Sequence, residues 1–503
     1  MDTPNSQSSI SAKASLIAGV SLALGLLFDY FFYEKAPGIG FPIYVALILL
    51  GLFAISVYFK KQIDRQAIWL LIPLAFFSSM VFVRSSLLLT FLNIVGSFLL
   101  LLLVVEVSPA WVLKKFLAQD YVKMIFLPLQ FVRPFFQTLS NIFKSREDGA
   151  KPRTSLRVIK GIAMALPVLL LFLLLFSSAD LIFKKYILDL VRIDLDPEIV
   201  VRLILVLCAT SGLMGAYAYY AFSRKEDVTA SGAVGDKLRT IGQIETSILL
   251  GAVNLLFFAF IFVQITYLFG GEGNIVSQGF TYAEYARKGF FELIAVAIIS
   301  FLLVLTTEKY TSKNGVEHTL IFKILSTALV VQVILIMASA FKRLLLYEEA
   351  YGFTTLRLYS HAFIIFLAVI FVLLIYKIFK DKQENLFVFR AFVSILIFLA
   401  VMNILNPDAF IARRNIERFN AAHELDVYYL SRLSEDAVPE TAKILDISDE
   451  SLRKSFAREL YWQTQKDASL FSRWQSLNVS RMNASKILGS KMTELERYKD
   501  YQP

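Results

Sequence analysis

The sequence predicts an all-α, polytopic membrane protein: a transmembrane helix bundle of about 11 spans with a C-terminal soluble helical tail. Three observations lead there. Hydrophobic residues make up 57% of the 503 residues and charged ones only 18%, against roughly 45–50% and about 25% in a soluble domain. The apolar residues gather in runs of the length that crosses a hydrocarbon core, about 20 residues as a helix. The Lys and Arg between those runs fall unevenly, in the alternating pattern that sets membrane orientation. The 45 Phe and 22 Tyr suit helix interfaces and headgroup belts.

In chain order, residues 1–13 form a polar, Ser-rich N-terminus. The apolar run after them has no A-x-A cleavage signal and reads as a retained first span. Residues 14–107 hold four spans, at Ser15–Phe32, Phe41–Tyr58, Ala67–Val83 and Ser86–Val107. Residues 108–158 are a basic, amphipathic interfacial segment, treated below. Residues 159–405 hold seven more spans. The first four of these lie at Gly161–Phe183, Ile199–Phe222, Thr246–Phe269 and Phe290–Thr307. Leu320–Phe341, Ser360–Ile378 and Phe389–Leu405 complete the set. Residues 406–503 form the water-exposed tail.

With the N-terminus cytoplasmic, the inner loops hold about 25 Lys and Arg and the outer ones about 10, the bias expected of that orientation. An odd number of spans then puts the tail outside. Arg413, Arg414 and Arg418 pull the other way, because they follow the last span closely. The expected location is a bacterial inner membrane, multi-pass, with an extracytoplasmic tail. In the tail, about 15 basic residues balance about 15 acidic ones. Asn406-Pro407 starts one helix there, and Ser434, Asp446 and Ser448 are further starting points.

Between Pro109 and Ser145, Trp111, Phe116, Tyr121, Phe126, Phe131, Phe135 and Phe143 are interleaved with Lys114, Lys115, Lys123, Arg133 and Lys144. That pattern describes helices in the cytoplasmic headgroup layer, broken at Pro128 and Pro134. Residues 109–145 are therefore either a structural anchor or an anionic-lipid site.

Several segments resemble an uncharacterised family of bacterial polytopic membrane proteins. They include Gly38-Ile39-Gly40, Ser178-Ala179-Asp180, Thr281 to Phe291, Tyr351 to Arg357, Asn406-Pro407-Asp408, Asn415 to Arg418, Leu425 to Leu430, Ser434 to Pro439 and Trp474 to Arg481. The family is a domain of unknown function of the four-one-seven-three type, with a four-one-five-three relative. The resemblance implies a multi-span body with a C-terminal tail, in a bacterial cell membrane, and implies no activity.

The net charge of +10 reflects cytoplasmic loops rather than a nucleic-acid partner, since no basic, aromatic-laced soluble domain is present. Cys208 is the only cysteine and lies inside an apolar run, and the three histidines are far apart. No disulfide, cofactor or metal site is expected. Catalytic motifs are absent, including the phosphate loop and the G-x-S-x-G elbow.

The functional lead is a set of charged groups at the outer ends of spans: Asp29, Asp180, Glu284, Arg287, Glu292 and Arg357. Ionisable groups at membrane depth are costly, so they pair, or they face a cavity. Deeper lie Asn93, Asn254 and Gln332, which either hydrogen-bond across helices or line a path. Two functions follow. One is a non-enzymatic sensor, scaffold or envelope-associated protein, with an envelope partner bound through residues 406–503. The alternative is a transporter or channel for a small or lipid-like solute, disfavoured by the absence of an inverted repeat. A membrane glycosyltransferase fits poorly, because the first outer loop, Tyr33 to Gly40, is short and has one acid, Glu34.

Overall fold

The computed structural model describes residues 4–61, 65–107, 113–144, 197–222, 241–268, 290–311, 316–380, 384–420, 425–466 and 473–501, with six single positions between 169 and 185. The described residues are helical, and their only β feature is an isolated bridge between Ile241 and Thr311.

The first four helices are α1 (Pro4–Phe32), α2 (Gly40–Tyr58), α3 (Arg65–Val83) and α4 (Leu87–Val107). Three short amphipathic helices follow: α5 (Ala118–Ile125), α6 (Leu127–Gln130) and α7 (Val132–Lys144). Pro128 and Pro134 lie in the first turns of α6 and α7, where a missing backbone N–H costs nothing, and the preceding helix ends shortly before each. Then come α8 (Pro197–Phe222), α9 (Gln243–Leu268), α10 (Phe290–Tyr310), α11 (Val316–Tyr351), α12 (Thr355–Lys380) and α13 (Glu384–Leu405).

Nine of these, α1, α2, α4 and α8 to α13, are long and apolar enough to cross a membrane. The expected third span forms a shorter apolar helix, Ala67–Val83. The expected fifth, Gly161–Phe183, lies outside the described residues apart from single positions. Side chains such as Leu255, Phe262 and Ile404 stand about 70% exposed. Such surface is stable only where lipid replaces water, so the chain is a multi-pass membrane protein.

The chain divides into two compact units. One comprises residues 1–113, 118–226 and 464–483. In it α1 runs antiparallel to α8: Asp29 near the end of α1 meets Arg202 near the start of α8, while Lys13 and Phe222 both lie against Phe59. Helix α2 is tied to both, through Tyr44 Oη to the Leu24 carbonyl at 3.1 Å and Tyr217 Oη to the Ile48 carbonyl at 2.8 Å. Each bond satisfies a buried tyrosine hydroxyl that would otherwise be costly.

The other unit comprises residues 114–117, 227–463 and 484–503. Helices α9, α10 and α12 pack on α11 around Leu250, Val304, Leu329, Val333, Phe371 and Leu374, all fully buried. Gly352 ends α11 with φ of +77°, a conformation that costs a residue with a Cβ roughly 1 kcal/mol or more. The chain then turns straight into α12.

The tail begins at Asn406 (φ +53°), followed by the helix Pro407–Asn420. It builds its own core from Ile411, Ala412, Ile444, Phe456, Ala457 and Leu495. Helix Val427–Ser431 is capped by Asp426, and Glu450–Lys466 by Asp449, which accepts from Leu452 N at 3.0 Å. Asp446 and Ser448, expected as starts, do not cap that helix; Asp446 instead pairs with Lys491 at 2.8 Å.

Candidate functional site

A helix leaves its last four carbonyls without intrahelical partners, and near a membrane those groups need donors. In the first unit the donors come from a strap, residues 473–483, folded onto the ends of α1, α2 and α3. Asn478 Nδ2 donates to the Val81 and Arg84 carbonyls at 3.2 and 2.9 Å. Ser480 Oγ donates to the Val83 carbonyl at 2.9 Å and Arg481 Nη1 to the Pro37 carbonyl at 3.1 Å. In return Ile39 N donates to the Leu477 carbonyl at 2.8 Å. Trp474 Nε1 reaches the Tyr30 hydroxyl at 3.2 Å, with the indole edge-on to Phe31.

The strap is seated deeply. Gln475, Ser476 and Asn478 are all buried. A Cβ on Gly38 would lie 2.5 Å from the Leu477 carbonyl oxygen, so only glycine admits the strap backbone there. Burial first, and then the guanidinium of Arg473, hold the Lys35 ammonium below the ordinary lysine range. Asn478 and Asn483 both match the glycosylation pattern; the buried, fully engaged amide of Asn478 is a helix cap.

In the second unit the tail holds a different turn, Gly352 to Thr354. Asn415 makes a two-way bridge to Phe353, accepting from its N–H and donating to its carbonyl, both at 2.8 Å. Arg418 Nε donates to the Glu349 carbonyl at 3.0 Å, and the Tyr429 hydroxyl accepts from Thr355 N at 2.7 Å. Beneath this turn Glu348 of α11, 1% exposed, faces His361 of α12, with Oε1 3.2 Å from Nδ1. Neither Glu348 oxygen nor His361 Nε2 has an aligned hydrogen bond among the described residues. The ring of His361 also packs on Phe341, centroids 4.3 Å apart. One turn deeper, Gln264 Oε1 accepts from Arg343 Nη2 at 2.7 Å and from Ser339 Oγ at 2.8 Å.

The residues singled out by sequence have separate fates. Asp29 forms a bidentate ion pair with Arg202, 2.7 Å at its shortest, and that guanidinium lies over the Tyr33 ring. Asp180, exposed, accepts from Ile182 N at 2.7 Å as a local cap. Glu292 is exposed in the first turn of α10. Arg357 stacks over Tyr347 at 4.1 Å and donates to the Gly352 carbonyl. Glu284 and Arg287 lie outside the described residues. Asp29 and Asp180 belong to one unit and Glu292 and Arg357 to the other, so they form no single cluster within either.

Asn254 donates to the Leu250 and Leu325 carbonyls, and Gln332 to the Asn254 carbonyl at 3.2 Å, joining α9 to α11. Asn93 is fully buried in α4. No group of three metal-ligating side chains gathers among the described residues.

Sequence reasoning missed Arg202, Glu348, His361 and the strap donors. Arg202 and His361 sit one to two turns inside long apolar runs, a position that itself signals a buried partner.

A family model, a domain of unknown function, DUF4153, matches residues 71–444. The chain belongs to that family. The match begins inside α3 and ends within the tail core, at Ile444, so it takes in the Gly352–Thr354 turn together with Asn415, Arg418 and Tyr429. The strap lies beyond it. Among curated proteins and solved structures, none matches the chain.

Proposed function

We propose that this DUF4153 protein is a non-enzymatic membrane scaffold or sensor that displays its C-terminal tail on the extracytoplasmic face. The observation that carries the reading is where the tail is fastened. In the first unit it caps the α1–α2 turn and the end of α3; in the second it holds the α11–α12 turn. Lysine clusters lie at the opposite helix ends of each unit, while Arg202, Arg343 and Arg357 at the tail ends are held against Asp29, Gln264 and Tyr347. Lys13, Lys60 and Lys61 lie around Phe59 and Tyr220. Lys377 pairs with Glu308 at 2.6 Å, and Lys309 with Glu384 at 3.6 Å. Positive charge marks the cytoplasmic side, which supports an extracytoplasmic tail.

The three arginines that argue against this are engaged in local contacts. Arg414 pairs with Glu417 at 2.9 Å, Arg418 donates to Glu349, and Arg413 lies over Phe410. Paired charges also favour a scaffold over a conduit, because a permeation path needs polar groups left open to solute.

The test places photo-crosslinkers at exposed tail positions Tyr428, Trp462 and Met482 of the full chain in native membranes. A recurrent envelope protein at one or more positions supports the reading. No adduct at any of the three, together with normal behaviour of an Asn478→Ala/Arg481→Ala variant, overturns it.

A further inference from the structure

Helices α5 and α6 carry two apolar faces, and among the described residues only one is covered. Met124, Leu127 and Phe131 point inward and are buried, with the Phe131 ring 5.5 Å from Tyr219. On the other side Val122, Ile125, Phe126, Leu129 and Val132 stand 50–70% exposed. Five large apolar side chains within eleven consecutive positions would be unfavourable in water, and none belongs to a span. Lys123 and Arg133, both exposed, flank this row. Lys123 pairs with Asp120 at a loose 3.5 Å.

The height of the row follows from contacts within one unit. Phe131 lies on Tyr219, and the Tyr219 hydroxyl donates to Glu106 at the end of α4 at 2.9 Å. The next residue, Tyr220, receives Lys61 Nζ on its carbonyl at 2.6 Å. The exposed row therefore sits at the helix ends that carry Lys60 and Lys61, where spans give way to headgroups.

We infer that α5 and α6 form an anionic-phospholipid site: Val122, Ile125, Phe126, Leu129 and Val132 enter the acyl region while Lys123 and Arg133 hold phosphate-bearing headgroups. Exposed apolar side chains interleaved with exposed cations suit the boundary between acyl chains and headgroups. A second copy of the chain fits worse, because a twofold pairing of this face would set Lys123 and Arg133 against their own copies. The inference is independent of which face displays the tail.

The test uses the full chain with Cys208→Ser, spin-labelled singly at Phe126→Cys, Leu129→Cys or the polar neighbour Gln119→Cys. Nanodiscs contain phosphatidylcholine alone or with phosphatidylglycerol. Labels at 126 and 129 are expected to be oxygen-accessible and shielded from a water-soluble relaxant, and the label at 119 the reverse. Native mass spectrometry should show preferential retention of phosphatidylglycerol. Lys123→Gln/Arg133→Gln, both exposed and tolerable to the fold, should weaken that retention by about fivefold per cation. Water-exposed labels at 126 and 129, unchanged lipid preference in the double variant, or spin–spin coupling between copies would each overturn it.

Discussion

The tail fastens two turns, one in each unit, and beneath each lies an ionisable pair between neighbouring helices. Asp29 and Arg202 meet with both carboxylate oxygens engaged, and the arginine is half exposed. Glu348 and His361 meet at 3.2 Å with both side chains buried and several polar atoms unmatched. A satisfied, partly solvated pair is what a structural tie looks like. A buried pair with unmatched atoms costs stability, and such costs persist where a group is needed for more than packing. The comparison singles out the α11–α12 turn as the costlier of the two, and it is the turn that Asn415 and Arg418 join to the tail.

Perturbations should separate fastening from function. The largest effect is expected away from both turns. Lys377→Met strands Glu308 near the basic helix ends and should lower unfolding stability by about 3–5 kcal/mol, largely recovered in Lys377→Met/Glu308→Gln. Thermal unfolding in nanodiscs measures both, and equal loss in the single and double variants would deny the pairing.

Next, Gly38→Ala should expel the strap at a cost of about 1–3 kcal/mol, since the added carbon meets backbone rather than a movable side chain. Trp474 packs against Tyr30 and Phe31 although it is partly exposed, so its fluorescence should change when those ring contacts are lost. Asn478→Ala removes two donors from helix-end carbonyls and should cost about 1–2 kcal/mol. Hydrogen exchange should then rise at the end of α3 and stay unchanged at Gly352–Thr355; a rise at both turns would mean they are not independently fastened.

The smallest effect concerns Lys61, whose ammonium burial holds below the ordinary lysine value of 10.5. A base lowered on folding favours the folded state above its unfolded value, and that contribution is lost as pH falls through the lowered one. Wild-type stability relative to Lys61→Met should therefore rise with pH on the alkaline side and level off above the lysine range. A difference constant with pH would contradict it.

Most of the membrane body was legible because its signal is local. A run of apolar residues announces a span whatever it packs against, and Asp29 announces a partner or a cavity by its depth. The partner was not legible. Arg202 lies 173 positions away, and no pattern along the chain pairs them. The strap was hidden for the same reason. Trp474 to Arg481 reads as ordinary tail, and its donors bond to carbonyls, which every residue carries. Prolines placed the breaks in the interfacial segment, whereas its inward face became visible only once Phe131 lay on Tyr219.

The central claim is that the tail and the basic loops lie on opposite faces of the membrane. Cys208 is the only native thiol, so single cysteines in a Cys208→Ser background test it directly. With a membrane-impermeant maleimide on intact cells, Ser490→Cys should label at once and Lys60→Cys only after permeabilisation. Labelling of both from the same side, or of Lys60→Cys alone from outside, would contradict it.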